Sequence, residues 1–501
     1  MKLAIIQSIF IGFLLLGGIG CQPGGCSRSP EGAFGLLSRV EELRLKNGML
    51  WLLVPRGDAP VATGVIQVKV GGIEEASGKA GLAHMFEHMA FKGSHEIGTS
   101  DPTAEAAVFE KIRALDEKLI AAKSAGDNAL ATTLMTERGV LRKEAQQFVV
   151  SNEIWRIFHD NGAAEVNAFT TKDLTSYYVR MPTEALPLWI YLASEMVGHS
   201  VMREFYSERD VVMEERRTSV DNSPKGKLYG ELMEAAFAKS PYRTMTIGSM
   251  AEIENLTMSD AEKFHATYYR PNRMVGVIVG KFNPREVKSS IKKYFGALPA
   301  DPAPETAMAE EPEQLTERRV HVPFDAGQRL MLSYHKPSLP HRDDYIFDAI
   351  QYVLCEGESG RLVKYLEREL QIARDVGCMS GSPGSRLDNL FVIAAEPLAG
   401  VTYDAVIAAI EHELARLRTE PVHDAELEKA RTNLQADFLW GLNTNESLAQ
   451  QLAYFQTVGN DWHYLVNHDR VMSTITTEDI RQAAQRWLQT HQRTIATLGR
   501  L

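Results

Sequence analysis

Cysteine is scarce in this sequence, which contains four cysteines in 501 residues. Cys21 and Cys26 lie near the start of the chain, so only Cys355 and Cys378 remain in its body. Two cysteines do not make the disulfide framework of a small secreted domain. They are either paired in an oxidising compartment or present as two buried thiols, and the sequence leaves both states open.

An excess of positive charge is also missing, because the formal net charge at pH 7 is −11. A nucleic acid partner is therefore not expected, since binding to phosphates depends on clustered basic residues. The hydrophobic fraction of 44% and the charged fraction of 24% are those of an ordinary globular protein. A chain of 501 residues has the length of two to four domains.

The start of the chain lacks an apolar run long enough for a comfortable membrane span. Lys2 precedes a nearly continuous apolar stretch at residues 5–16, and small residues then lead to Cys21. This order is typical of a secretory signal, and the Gly-Ile-Gly before Cys21 resembles a bacterial lipoprotein cleavage site. We therefore interpret residues 1–30 as signal and tether. They predict an exported protein of the bacterial cell envelope (periplasm), held at the membrane only by a lipid on Cys21. An ordinary signal peptide cut nearby is the alternative.

The residues with the clearest chemistry are His84-x-x-Glu87-His88. On a helix, positions i and i+4 share one face, so His84 and His88 can direct two imidazoles to one metal ion. Glu87 is placed to take a proton from a water molecule that the metal activates. A catalytic zinc site uses three protein ligands and one open position, so the sequence must supply a third ligand elsewhere. A helix with two surface histidines beside an acid is the alternative interpretation.

A helical hairpin is predicted at residues 103–148, after this motif. Apolar residues from Val108 to Leu119 recur at spacings of four and three, and Ala-Gly-Asp-Asn at residues 125–128 predicts the turn. Nothing in the hairpin has a catalytic pattern, so we interpret it as an insertion. A strand-like segment rich in Thr and Tyr then begins at Asn167.

Two acidic residues stand out in a predicted helix at residues 203–220. Glu208 and Glu215 are seven positions apart, which is two helical turns, so they share a face from which Glu214 is rotated away. A pair of carboxylates on a buried face requires an explanation, and a metal ion is one. A solvated acidic face is the alternative.

The second half of the chain repeats the first. Thr257-Met-Ser-Asp reappears as Thr476-Thr-Glu-Asp, and both this pair and a pair of apolar strands keep the same offset of 219 positions, which is 476 − 257. No His-x-x-Glu-His occurs after residue 319. We therefore expect a catalytic half-domain at residues 36–298, a Pro-rich and acidic linker at 299–318, and a non-catalytic half-domain at 319–501. Strands precede helices in each, which predicts the α+β class with an antiparallel sheet packed by helices.

Three motifs in order carry a family resemblance: His84-x-x-Glu87-His88, Asn167-Ala168-x-Thr170, and Glu208-Arg-x-Val-Val-x-Glu-Glu215. Together they resemble the pitrilysin/insulinase (inverzincin) family of zinc metallopeptidases, especially bacterial members related to mitochondrial processing peptidase. The resemblance covers residues 40–501 and implies the processing-peptidase-like metallohydrolase fold. It implies Zn2+ ligands at His84, His88 and Glu215, the last chosen over Glu214 by the spacing of seven. It also implies Glu87 as the base and Glu208 as a supporting carboxylate.

The resemblance further implies an endopeptidase whose substrate is an extended peptide or unfolded polypeptide. The edge strand that would bind this substrate contains Asn167, Ala168, Phe169 and Thr170. The family encloses its substrate with four half-domains, so we expect a dimer whose second chain is a metal-free homologue. A non-catalytic subunit of a two-chain peptidase and a peptide-binding scaffold are the competing functions. One departure puts substrate binding by the second half in doubt, because Glu367 and Arg374 stand where the family has Arg and Tyr.

Overall fold

The computed structural model describes residues 38–305 and 308–500 together with Gly35. The predicted signal, Cys21 and the tether lie outside the described residues. We call residues 38–298 the first half and residues 318–500 the second half. Each half contains one β-sheet packed by helices, so the predicted α+β class is confirmed.

Besides short 3-10 turns and a π-helix at Arg217–Asp221, the first half contains six strands and ten α-helices. They are β1 (Glu41–Arg44), β2 (Leu50–Pro55), β3 (Val61–Val68), α1 (Leu82–Ala90), α2 (Pro102–Ser124), α3 (Asn128–Gln146), α4 (Glu153–Asp160), β4 (Glu165–Thr170), β5 (Thr175–Pro182), α5 (Leu186–Gly198), α6 (Phe205–Arg216), α7 (Pro224–Ala236), α8 (Met250–Glu254), α9 (Met258–Tyr268), β6 (Met274–Gly280) and α10 (Pro284–Tyr294).

The second half contains five strands and seven helices. They are β7 (Arg318–Pro323), β8 (Arg329–Lys336), α11 (Arg342–Cys355), α12 (Arg361–Val363, continued by a π-helix at Lys364–Glu369), β9 (Ala373–Ser382), β10 (Asn389–Pro397), α13 (Tyr403–Thr419), α14 (Asp424–Gly441), α15 (Asn445–Gly459), α16 (His463–Ser473), α17 (Thr477–Trp487) and β11 (Arg493–Gly499).

Each sheet is mixed rather than purely antiparallel. The orders are β1-β2-β6-β3-β5-β4 and β7-β11-β8-β10-β9, and the only parallel pairs among these strands are β2 with β6 and β7 with β11. In each half the last strand follows the helices along the chain and pairs with an early strand. These pairs are β6 with β2 and β11 with β7. A parallel pair needs such a long crossover, and spacing along the sequence does not reveal it. β4 and β9 are the outermost strands at the corresponding end of the two sheets.

Each sheet is covered on one face by a helix from the other half. α15 of the second half places Leu448, Leu452 and neighbouring residues against the buried face formed by β2, β3 and β6. α7 of the first half places Leu228, Leu232 and neighbouring residues against the second sheet. β6 is buried at every position because both of its faces are covered, which explains its unbroken apolar sequence. Two hydrophobic clusters are therefore shared by the halves, whereas the largest cluster of each half contains only its own residues.

The helical hairpin and the cysteines also have defined places. A buried ion pair between Glu105 and Arg203 anchors the hairpin helix α2, and a second between Asp116 and Arg138 joins α2 to α3. Cys355 at the end of α11 forms a disulfide with Cys378 of β9, which decides between the two states that the sequence left open. No helix within residues 38–305 and 308–500 combines the length and apolarity of a membrane span.

Candidate metal centre

The histidines lie on α1, a short helix that begins at a constrained glycine. Gly81 precedes the helix with φ of 96°, a conformation that glycine adopts without strain. A Cβ atom at this position would also approach the carbonyl oxygen of Ile247 within 2.6 Å. Met85, Phe86 and Met89 bury one side of α1 in the core. The buried side fixes the rotation of the helix and thereby the direction of His84 and His88.

His84, His88 and Glu215 come together although the third residue is more than 120 positions from the first two. Their ligand atoms all lie within 4.8 Å of one another, and this is the only such group of His, Cys, Asp and Glu side chains in the described part of the chain. His84 Nε2 is 3.7 Å from Glu215 Oε1, and His88 Nε2 is 3.6 Å from Glu215 Oε2. Tetrahedral zinc with bonds of about 2.1 Å separates its ligand atoms by about 3.4 Å. The two imidazoles and the carboxylate therefore fit a zinc ion in both chemistry and spacing.

Glu214 does not join this group. Its side chain is 67% exposed and forms an ion pair with Arg217 on the outer surface of the helix. The rotation by one residue along α6 thus separates the two neighbouring glutamates, as the spacing from Glu208 predicts.

Glu208 lies behind His88 rather than beside the shared ligand atoms. His88 Nδ1 is 3.4 Å from Glu208 Oε2, and the other carboxylate oxygen forms an ion pair of 2.6 Å with Lys92. A carboxylate on the far nitrogen of a metal-binding histidine orients the ring. Lys92 was missed in the sequence, although its position four residues after His88 gives a helical spacing that would have found it. His84 has no equivalent support, because its buried Nδ1 has no hydrogen-bond partner among the described residues.

Glu87 connects α1 to the edge strand β4. Thr170 Oγ1 donates a hydrogen bond of 2.6 Å to Glu87 Oε2. Burial raises the pKa of Glu87 to about 7, while His88 and the bond from Thr170 act to lower it and Glu215 acts to raise it. The partly buried carboxylate of Glu87 therefore lies between α1 and β4, with one oxygen held by the last residue of β4.

The two histidines have opposite electrostatic surroundings. Burial, together with the charge of the neighbouring His88, lowers the pKa of His84 to about 3. Burial also acts to lower the pKa of His88, but the hydrogen bond with Glu208 and the charges of Glu87 and Glu215 raise it overall. The pKa of Glu208 is lowered, because its bonds with His88 and Lys92 outweigh the effect of burial. His84 is thus neutral, which is the form that binds a metal.

The predicted substrate-binding residues form β4, the outermost strand of the first sheet. β4 pairs with β5 on one side, from Glu165 to Thr170, and no other described strand pairs with it. Asn167 donates its side-chain amide to the Tyr178 hydroxyl, and its side-chain oxygen accepts from the N–H of Ala168. A sheet edge beside the candidate metal centre can accept an extended peptide through main-chain hydrogen bonds.

Glu367 and Arg374 stand where the family resemblance leads one to expect Arg and Tyr, and both bind other residues of the second half. Glu367 accepts a hydrogen bond from the backbone N–H of Val376, at 2.8 Å. Arg374 pairs with Glu396, and its side chain is 68% exposed. Neither residue contacts the site on α1.

Comparison with known proteins gives matches along most of the chain. A protein-family model described as Insulinase (Peptidase family M16) matches residues 53–111 and 145–249. The model described as Peptidase M16 inactive domain matches residues 255–434. The first match omits residues 112–144, which lie within the helical hairpin.

Three relatives illustrate the likeness. Over 474 residues the chain is 29% identical to the zinc protease PqqE of Helicobacter pylori, with 92% of this chain and 93% of the relative covered. A crystal structure of a protease from Helicobacter pylori matches with a TM-score of 0.77 and 27% identity, covering 92% of this chain and 99% of that one. The periplasmic protease PqqL from Escherichia coli matches in fold with a TM-score of 0.68 at 18% identity, covering 92% of this chain and 47% of that one.

Proposed function

Because this chain belongs to peptidase family M16, the insulinase family, and is a homologue of zinc proteases, we propose that it is a zinc endopeptidase acting on extended or unfolded polypeptides. The family that the three motifs predicted is confirmed by the two family matches. The observation that carries the proposal is the convergence of His84, His88 and Glu215 beside Glu87. The roles of the individual residues and the class of substrate are what we propose.

His84, His88 and Glu215 are the residues that would hold Zn2+. When bound, zinc supplies a Lewis acid that lowers the pKa of water and polarises a carbonyl group. Glu208 orients His88 through Nδ1 and is itself held by Lys92. The ion pair with Lys92 keeps Glu208 in its charged form beside the imidazole.

Glu87 is the proposed general base. It takes the proton of the attacking water and passes it to the amine nitrogen that leaves when the peptide bond breaks. The bond from Thr170 holds Oε2 and leaves Oε1 to accept the proton. The same threonine ends β4, so the proposed base is tied to the strand on which we place the substrate.

The substrate proposal follows from the geometry of an open sheet edge. A peptide added beside β4 would be bound through its backbone, from Asn167 to Thr170, with little dependence on its sequence. Only an extended segment can pair in this way, which favours unfolded polypeptides over folded ones. The same edge would also serve a scaffold that binds peptides without cleaving them, and this is the second candidate function.

We further propose that the protein is located in the bacterial cell envelope and is held at the membrane by a lipid on Cys21. Substitution Cys21→Ser should abolish fatty-acid labelling and release the protein from membranes, whereas an unlabelled wild type would contradict the anchor.

We also propose a dimer. The structural match covers 47% of the PqqL chain, and further half-domains would be needed to enclose the site. The partner we favour is a metal-free homologue that supplies the missing Arg and Tyr. Adding it should raise peptide cleavage, whereas a fully active monomer in light scattering would contradict this.

The decisive experiment compares wild type with Glu87→Gln for bound zinc and for cleavage of casein and a quenched peptide. We expect unchanged zinc and a loss of at least about a hundredfold in turnover, because only the base is removed. Glu214→Gln is the matched control on the neighbouring helix and should retain both. A metal-free wild type would indicate the non-catalytic subunit, and a zinc-loaded wild type that stays inactive after the metal-free homologue is added would indicate the scaffold. Normal turnover of Glu87→Gln would refute the role of the base.

A further inference from the structure

A loop of the second half contacts the first half at the turn that follows the edge strand β4. The loop at residues 383–388 connects β9 to β10, and we call it the junction loop. It lies against the turn at residues 171–174, which connects the edge strand β4 to β5. This contact joins the half without candidate metal ligands to the strand that ends at Thr170.

Asp173 in the turn is bound by the backbone of the junction loop. Its side chain is 2% exposed, and Oδ2 accepts hydrogen bonds from the N–H groups of Ser385 at 2.5 Å and Arg386 at 3.3 Å. Oδ1 accepts a bond of 2.5 Å from the hydroxyl of Tyr242. A Cβ atom at Gly384 would overlap Asp173, so the loop approaches as closely as it does only with glycine there.

Arg386 joins the turn to the segment that leads into α1. Its Nη1 donates to the carbonyl oxygen of Asp173 at 2.8 Å, and its Nη2 donates to Glu74 Oε1 at 2.8 Å. Glu74 is buried, and its other oxygen accepts from the N–H of Gly71. One guanidinium therefore bonds to two first-half segments, and it shares Glu74 Oε1 with Arg273 Nη1, which lies at 3.1 Å.

These two segments are also bonded to one another beside the proposed base. The N–H groups of Gly72 and Ile73 donate to the carbonyl oxygens of Thr171 and Lys172. Thr171 directly follows Thr170, whose hydroxyl donates to Glu87. A displacement of the turn would thus move Thr170 and its bond to Glu87.

We propose that Arg386 is a positioning residue for the reaction, acting from the second half through the turn at residues 171–174 on Thr170 and Glu87. This inference rests on the proposed function, because it assigns Arg386 a role in placing the base. Arg386 contacts none of the three candidate metal ligands. Its effect is therefore on the placement of Glu87 and of the end of β4, and not on metal binding.

The test is a double-mutant cycle with Arg386→Ala, Thr170→Ala and the double variant, assayed for kcat, KM and bound zinc. We expect Arg386→Ala to lower kcat by about tenfold, the effect of a hydrogen bond to a charged group, with zinc unchanged and a smaller change in KM. Because both residues act on Glu87 by one route, the double variant should lose much less than the product of the two single losses.

The matched control is Arg56→Ala. Arg56 also bridges the halves, through the carbonyl oxygens of Leu442 and Asn443 and the side chain of Asn445, and none of these three bonds involves the turn. It should retain kcat. An equal loss in this control would show a general effect of loosening the halves and overturn the proposal, as would multiplicative losses in the cycle.

Two further variants keep the result interpretable. If Arg386→Ala does not fold, Arg386→Lys against Arg56→Lys carries the same comparison, with a partial loss of kcat expected only in the former. Glu87→Gln is assayed alongside. Normal turnover of Glu87→Gln refutes the proposed function, whereas an inactive Glu87→Gln together with full activity of Arg386→Ala refutes only the role of Arg386.

Discussion

The two halves share a strand order around different chemistry. Strands β2-β6-β3-β5-β4 of the first half correspond to β7-β11-β8-β10-β9 of the second, and in both a helix is hydrogen-bonded to the outermost strand. In the first half, Glu87 of α1 accepts a bond from the Thr170 hydroxyl of β4. In the second half, Gln351 of α11 accepts a bond from the backbone N–H of Ser380 in β9. The scaffold therefore makes this contact with a carboxylate in one half and an uncharged amide in the other.

The helix that supplies the third ligand differs in the same way. In α6 of the first half, Glu208 and Glu215 face α1 and are largely buried. In α14 of the second half, Glu428 is 66% exposed and pairs with Arg431 on the surface. The same sheet and helices thus form in a half with candidate metal ligands and in a half without them. The site itself requires only a few inward-facing carboxylates and imidazoles.

Removing a ligand tests the chemical difference between the halves most strongly. His84→Ala, His88→Ala and Glu215→Gln should each lose zinc and at least about a thousandfold in cleavage, because a Lewis acid contributes several kcal/mol to the barrier. Zinc content by atomic absorption and peptide turnover measure both effects. Retained zinc in Glu215→Gln together with its loss in Glu214→Gln would show that the ligand is the other glutamate.

A smaller effect is expected when the support of His88 is removed. Glu208→Gln should weaken zinc binding by about ten- to a hundredfold, because the histidine loses the carboxylate that orients it. Competition with a chelating dye measures the affinity. Glu428→Gln on α14 is the counterpart in the second half and should leave it unchanged, so an equal effect of the two variants would contradict the role of Glu208.

The two hydrophobic clusters that the halves share predict that both halves respond alike to a cavity in either cluster. Leu452→Ala in α15 and Leu232→Ala in α7 each remove a fully buried side chain that packs on the sheet of the other half. Each should lower the free energy of unfolding by about 2–5 kcal/mol in urea titrations. Leu315, which is 70% exposed, gives the control substitution with a negligible effect. Two separate unfolding transitions, with only one shifted, would show that the halves are independent.

The disulfide should contribute to the free energy of unfolding and have no effect on kcat. Cys355 and Cys378 are 23 positions apart, and closing a loop of this length contributes about 3 kcal/mol in the chain-entropy description. The double variant Cys355→Ser/Cys378→Ser should unfold more easily and keep its kcat, because the bond lies in the half without candidate ligands. A loss of kcat at a temperature where the variant is folded would show that the second half acts on the site through β9 as well.

Local spacing made several features visible in the sequence. His84, Glu87 and His88 belong to one turn of helix, and Glu208 and Glu215 are related by two turns, so their shared faces follow from helical geometry alone. The helical hairpin at residues 103–148 was visible as periodicity, and the order of strands before helices in a repeated unit predicted the α+β class.

The tertiary structure alone decided the features that join distant segments. These include the parallel pairs β2–β6 and β7–β11, the exchange of α7 and α15 between the halves, and the bond between Cys355 and Cys378. The hydrogen bond from Thr170 to Glu87 and the hydrogen bond from the junction loop to Asp173 are further examples. Each depends on how whole layers pack against one another, and a contact across dozens or hundreds of residues leaves no periodic trace in the chain. The sequence by itself therefore determined which residues share a helical face, and the packing of the two halves determined what those faces meet.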